Sequence, residues 1–176
     1  MRNKRVMSMV LVSMFIAMVT ITTYIGVPWP FAAGGYMHLG TLTALIIALA
    51  FGKKYGAISS GVGMAIFDFF SPYAVWTLGT LVVRFAMGYV VGTVAHNNKT
   101  GEQGTNVLRN IVAIALGAVV MIVGYYLFEA IFLTDFRTAL VSITGNVIQF
   151  TLGLLSLLIV PAIKVIQKEM LDNVDL

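Results

Sequence analysis

The 176-residue chain predicts an all-α membrane protein, a bundle of six transmembrane helices with both termini cytoplasmic. Three observations carry this expectation. First, 59% of the residues are hydrophobic and only 10% charged, with a mean hydropathy of +0.94, well outside the range of soluble domains. Second, the apolar residues fall into six stretches divided by short turns, and six crossings of roughly 20 residues consume about 120 positions. Little length remains for a separate soluble unit, so residues 1–176 read as a single six-helix transmembrane domain. Third, of the 11 Lys and Arg residues, Arg2, Lys4, Arg5, Lys53, Lys54, Lys99, Arg109, Lys164 and Lys168 fall on the side of the termini, Arg137 alone falls opposite, and Arg84 lies within a span. An odd number of spans would scramble that positive-inside bias, so the charges support both the orientation and the count.

The first span runs from Lys4 to Gly26 behind a basic start. Its apolar run exceeds that of a secretory signal, although Ala32 and Ala33 leave a weak cleavage signal, and it reads as a retained helix. Val27 to Met37 carries Pro28 and Pro30 around Trp29, then Gly34 and Gly35, and is expected to be an apolar loop that dips into the protein. A short second helix covers His38–Phe51, closed by a Gly52–Gly56 turn, and a third covers Ala57–Phe70. Both are shorter than a perpendicular crossing, so they must lean on other helices or thin the bilayer. Ser71–Trp76 is a turn, Thr77–Ala95 the fourth helix, His96–Asn106 a hydrophilic loop and Val107–Leu133 the fifth helix. The sixth spans Ala139–Lys168, with a kink expected at Pro161.

With orientation fixed, the 1.5 Å rise per residue assigns depth. Arg84 and Asn146 sit roughly 10 Å below the outer surface, Gln149 about 15 Å and Glu129 roughly 6 to 9 Å, with Asp68 near the outer mouth. Tyr36 and His38 lie above them on the outer loop. Charged and amide groups at one depth in a bilayer cost kilocalories unless they pair or line a cavity, so they mark a polar pocket open to one side. Arg84 and Glu129 either form a buried pair joining two helices or face a ligand, and Asn146 with Gln149 either bonds between helices or does the same. Trp76 and Tyr73 read as an aromatic belt, whereas Trp29 is a candidate lid. Only one of Tyr125 and Tyr126 can face inward. The inner half differs: Gly88-x-x-x-Gly92, Ser59-x-x-x-Gly63 and Ser13-x-x-x-Ala17 are stripes that let helices approach closely.

The net charge of +4 does not indicate nucleic acid, because the basic residues are scattered between apolar runs and form no face. There is no cysteine for a thiolate metal site or nucleophile. His38 and His96 are expected on opposite membrane sides and cannot share a metal. Gly52–Gly56 lacks the order of a phosphate-binding loop, so no ATPase, cofactor or enzyme activity is expected of the chain itself.

Residues 38–95 carry a pattern: His-Leu-Gly before a short helix, Phe-Gly-x-x-Tyr-Gly-Ala, a Gly-rich helix ending in Asp68, a Pro-containing turn, and a helix with one basic residue before Met-Gly-x-x-x-Gly. This block resembles the S components of energy-coupling factor (ECF) transporters, most nearly the hydroxymethylpyrimidine and vitamin B6 branch. The resemblance implies a subunit of a bacterial cell membrane that captures a small-molecule vitamin from outside. It further implies docking on a transmembrane coupling protein with two cytoplasmic ATPases, through small residues of the first helix, here Ser13 and Ala17. The expected ligand is pyridoxine or hydroxymethylpyrimidine, with riboflavin a third candidate. Apolar walls with a few converging polar groups suit such a ring, and Arg84, Glu129, Asn146 and Gln149 are expected to hydrogen-bond it, with Asp68 and His38 nearby and Trp29, Tyr36 or Tyr125 stacking on it. The competing readings are an independent proton-coupled transporter using Asp68 and Glu129, and a scaffold without a cavity.

Overall fold

A computed structural model describes residues 2–28, 36–97 and 102–172. Helix α1, Arg2–Tyr24, leads into a hairpin of β1, Gly26–Pro28, and β2, Tyr36–His38. Helices α2, Gly40–Phe51, and α3, Lys53–Phe69, follow, then a 3-10 turn at Ala74–Trp76 and α4, Thr77–Ala95. A second hairpin, β3 at His96–Asn97 with β4 at Glu102–Gln103, precedes α5, Val107–Phe132. Helices α6, Leu140–Gly153, and α7, Ser156–Asp172, follow and together supply one span long enough to cross a bilayer. The bundle is the expected all-α membrane architecture. Segments Arg5–Tyr24, Ala74–Ala95, Val107–Phe132 and Leu140–Gln167 are long and apolar enough to cross a bilayer, and their outward residues, such as Met9, Leu108 and Leu158, are large and exposed, as lipid-facing positions are.

The short α2 explains how the remaining helices fit. It is apolar all round, and Ala44, Leu45, Ala48 and Leu49 are completely buried, because α1, α3, α4, α6 and α7 all pack around it. A helix shielded on all sides by protein does not have to match the bilayer thickness. Gly52, at φ +85°, separates α2 from α3, a backbone conformation that side chains resist. The expected turn at 52–56 is thus a single-residue reversal, and the third helix starts four residues earlier than expected, at Lys53 instead of Ala57.

Three further expectations are corrected. The segment around Val27–Met37 is not wholly a loop, since Gly26 pairs with His38, Val27 with Met37 and Pro28 with Tyr36. A side chain on Gly26 would collide with His38, its Cβ meeting that of His38 at 2.8 Å, so glycine lets the strands close. Hydrophilic residues 96–106 also begin as a hairpin, with His96 opposite Gln103. Finally, the sixth crossing breaks at Leu154–Leu155, not at Pro161, which lies inside α7. There the N–H groups of Leu154, Leu155, Leu157 and Leu158 donate to carbonyls three residues back. That tighter winding redirects the chain upstream of the proline.

Small residues hold α3 against its neighbours. A Cβ on Gly61 would lie 2.9 Å from the Leu81 carbonyl, and one on Gly63 2.9 Å from that of Ile16, so α3 touches both α4 and α1 through backbone. Gly88 likewise abuts the backbone of Gly56, and Gly92 that of Lys53. Ser60 donates to the Arg84 carbonyl at 2.7 Å across the same seam. The expected Gly88/Gly92 and Ser59/Gly63 stripes are therefore packing faces.

Candidate functional site

In the outer half the helices part around a cavity of about 90 Å³. That is several times the roughly 10–15 Å³ a single water requires. Every predicted outer-half residue from Tyr36, His38 and Asp68 through Arg84, Tyr125 and Glu129 to Asn146 and Gln149 lines it. Trp29, the expected lid, lies outside the described residues.

Arg84 is the hub. Its position one turn beyond Thr80 on α4 aims it between α2 and α5, and it is 3% exposed. Its Nε donates to the Tyr125 hydroxyl at 3.0 Å, and Nη1 donates to Thr41 Oγ1 at 2.9 Å and contacts Met121 Sδ. The guanidinium also lies over the Tyr125 ring, 5.2 Å from its centroid. The alternative of an Arg84–Glu129 pair is therefore not what forms, since the hydrogen-bond partners of Arg84 are neutral groups. Its Nη2 has no hydrogen bond among the described residues. Tyr125 passes the chain on, donating to Thr80 Oγ1 at 3.0 Å, and the Thr80 hydroxyl faces the Asp68 carboxylate. Tyr125 is buried and Tyr126 turns to the Phe136 carbonyl, so one tyrosine of the pair faces inward.

Gln149 serves a different purpose. Its Oε1 accepts from the His38 N–H at 3.1 Å, and its Nε2 donates to the His38 carbonyl at 2.6 Å and to Thr41 Oγ1 at 2.8 Å. The primary amide imitates a neighbouring strand, clamping the end of β2 to α6. Asn146, one turn earlier on the same face, has no hydrogen-bond partner among the described residues and presents its amide to the cavity.

Two buried atoms of cavity-lining residues have no hydrogen-bond partner, Glu129 Oε2 and His38 Nδ1, although the Ser142 side chain lies beside the Glu129 carboxylate. Burial, then the Arg84 charge, holds the His38 imidazole well below its ordinary pKa, so near neutrality it carries one proton and can either donate or accept. Buried polar atoms without partners cost roughly 1–3 kcal/mol each, which a complementary solute would recover.

Aromatic rings close the rest. Tyr36 stacks on Phe67 with centroids 5.2 Å apart and lies 5.2 Å from Tyr73, while Trp76 meets Tyr125 edge-on at 6.0 Å. Tyr73 and Trp76 line the cavity, which corrects the expectation of an aromatic belt. Their 3-10 turn folds them back over the mouth of the bundle. Sequence reasoning missed Thr41, Phe67 and Thr80. Threonine is common in apolar spans, and only its position one turn from a charged residue, as in Thr80 and Arg84, gives any signal.

On α1, Ser13 and Ala17 share an outward-facing side, opposite the buried Phe15, Val19 and Thr23. The Ser13 hydroxyl donates to the Met9 carbonyl within the helix, which removes its polarity from that face.

A family model described as ECF-type riboflavin transporter, S component, matches residues 3–168, nearly the whole chain. A protein of Pyrococcus woesei, described as an uncharacterized protein in gap 3'region, is 34% identical over 108 residues, covering 61% of this chain and 68% of that protein.

Proposed function

The chain belongs to the family of ECF-type riboflavin transporter S components, and on that premise we propose that its outer cavity captures riboflavin or a related heteroaromatic vitamin from outside the cell. A member of this family is a membrane-embedded, vitamin-binding transporter subunit rather than an enzyme. The observation that carries the proposal is the pair of buried, unpartnered groups, Glu129 Oε2 and His38 Nδ1, on the wall of the cavity that Arg84 also lines. A ring bearing carbonyls and hydroxyls answers all three, with acceptors for Arg84 Nη2, a donor for Glu129 and either kind of partner for the neutral His38 imidazole, and it offers flat faces to Tyr36, Trp76 or Tyr125. Asn146 and Asp68 would bind the polar periphery, and Gln149 would hold the β-hairpin over it.

Riboflavin stands first because of the matched family. Pyridoxine and hydroxymethylpyrimidine form a second reading, favoured by the pattern of residues 38–95 and by the modest free volume. Uptake would then depend on a transmembrane coupling protein and two cytoplasmic ATPases, reached through the apolar outward face of α1 at Ser13 and Ala17. Vesicles containing this chain alone should show no uptake driven by a pH gradient. Uptake there would favour proton coupling through Asp68 and Glu129.

The test is ligand binding to the purified chain, read by the fluorescence of Trp76 in a Trp29→Phe background. Riboflavin should quench it saturably, and Arg84→Ala should weaken binding by about tenfold to a hundredfold, the range for losing a charged hydrogen bond. Tighter binding of pyridoxine or hydroxymethylpyrimidine would move the assignment to the second reading. Unchanged affinity in Arg84→Ala would remove the cavity from consideration.

A further inference from the structure

A second cavity lies at the opposite end of the bundle, where α7 leaves α5. Because the break at Leu154–Leu155 turns α7 toward α2, α7 packs closely on α2 but only sparsely on α5. The resulting cleft has a volume of about 310 Å³, and its apolar walls are Val107 on α5 and Leu157, Pro161 and Val165 on α7. Val107 and Val165 are more than half exposed, so the cleft opens sideways to the hydrocarbon as well as to the cytoplasmic surface.

Polar groups are concentrated at its cytoplasmic end. Lys164 reaches into it, donating to the Ala50 carbonyl and, at 3.2 Å, to Gln167 Oε1, which leaves one of its three hydrogens uncommitted. Asn110, on the first turns of α5, is 4% exposed. Its Nδ2 donates to the Gly104 carbonyl at 2.9 Å, but its Oδ1 is buried without a partner on the cleft wall. Thr105 also lines the cleft. An occupant must therefore supply a negative charge to Lys164, a donor to Asn110 Oδ1, and an apolar body to the wall of Val107, Leu157, Pro161 and Val165.

We propose that this cleft binds an anionic glycerophospholipid of the cytoplasmic leaflet whose headgroup carries free hydroxyls, as in phosphatidylglycerol. The phosphate sits at Lys164, a headgroup hydroxyl donates to Asn110 Oδ1, and an acyl chain runs along Val107 and Val165 between α5 and α7. Basic pockets between helices at a cytoplasmic surface select such headgroups. A zwitterionic choline headgroup meets neither demand, because it brings no net negative charge and no hydrogen-bond donor. The bound lipid fills the gap beneath the helix break and so joins α7 to α5, which the protein's own side chains barely do.

The proposal is tested on the full chain in detergent supplemented with phosphatidylglycerol, phosphatidylcholine or soluble glycerol 3-phosphate, measuring lipid retention by native mass spectrometry and Tm by thermal unfolding. Phosphatidylglycerol should be retained in preference to phosphatidylcholine and should alone raise Tm. Lys164→Gln should weaken its retention by about fivefold, the effect of one basic residue on an anionic lipid surface. Since Lys164→Gln also removes the bond to the Ala50 carbonyl, Val165→Trp provides a second variant at an exposed position, filling the cleft and abolishing preferential retention while the charge stays. Equal retention of the two lipids by the native chain, or a preference that survives Val165→Trp, would overturn the proposal. So would a Tm shift by glycerol 3-phosphate equal to that by phosphatidylglycerol, which would make this a soluble-anion site.

Discussion

Helices α3 and α4 run side by side through the bundle and behave in opposite ways at their two ends. Toward the cytoplasm, Gly56 meets Gly88 and Lys53 meets Gly92 backbone to backbone, and Ser60 satisfies its hydroxyl on the Arg84 carbonyl. Toward the outside, the same two helices present Phe67, Asp68, Thr80 and Arg84 to an open cavity. The difference teaches how one pair of helices can be both hinge-tight and receptive: the absent side chains of glycine hold the inner end fixed, and the outer end can then afford buried polar groups that are only partly satisfied. A binding site needs that second condition, and stability needs the first.

The largest expected effect comes from breaking the tight end. Gly88→Leu drives a branched side chain into the backbone of Gly56, so the chain should fail to accumulate as a monodisperse species in size-exclusion chromatography, whereas Val82→Leu on the exposed face of α4 should leave the profile unchanged. Next is Glu129→Gln at the receptive end. It keeps the shape of the side chain and should leave Tm within a few degrees, while vitamin affinity falls by about tenfold as a charged acceptor is replaced by a neutral one. A smaller effect is expected of Gln149→Leu, which removes the clamp on His38 but no proposed ligand contact. Vitamin affinity should drop by only a few fold, and amide hydrogen exchange at Tyr36–His38 should accelerate. An affinity loss as large as that of Arg84→Ala would instead make Gln149 a ligand contact.

The smallest effect is in pH. The His38 imidazole resists protonation in the folded chain, so as pH falls below the ordinary histidine value of about 6.5 the unfolded chain takes up a proton that the folded one does not. Folded-state stability should decline through that window, and His38→Asn should flatten the decline in Tm between pH 6.5 and 5. The half-buried His96 ring is lowered mainly by burial, an effect that the Leu49 carbonyl it contacts at 2.8 Å partly opposes, so it contributes in the same direction and remains as background in the variant.

The expectations that held were those governed by periodicity and depth. Thr77–Ala95 emerged as a helix with the limits its apolar run suggests, because nothing else competes for such a segment in a bilayer. The meeting of Arg84, Asp68, Glu129, Asn146 and Gln149 in one cavity was legible because orientation and rise per residue fix depth without any knowledge of side-chain packing. What depth cannot provide is the partner. Arg84 bonds to Thr41 and Tyr125 rather than to Glu129, a choice made by the azimuths of α2 and α5, which the spacing of apolar residues around a fully buried α2 leaves undefined. The break at Leu154–Leu155 was hidden for a related reason, since leucines form good helix and only tertiary contact of α7 with α2 favours the tighter turns there. The strands were too short for alternation to register.

Hydrogen-exchange mass spectrometry of the native chain with and without saturating riboflavin tests the central claim most directly. The account predicts protection confined to the outer half, at Tyr36–His38, the Ala74–Arg84 segment and the stretch from Ser142 to Gln149, with no change along Lys53–Ser60. Protection falling on the cytoplasmic ends of α3 and α4, with the outer segments unaltered, would contradict it.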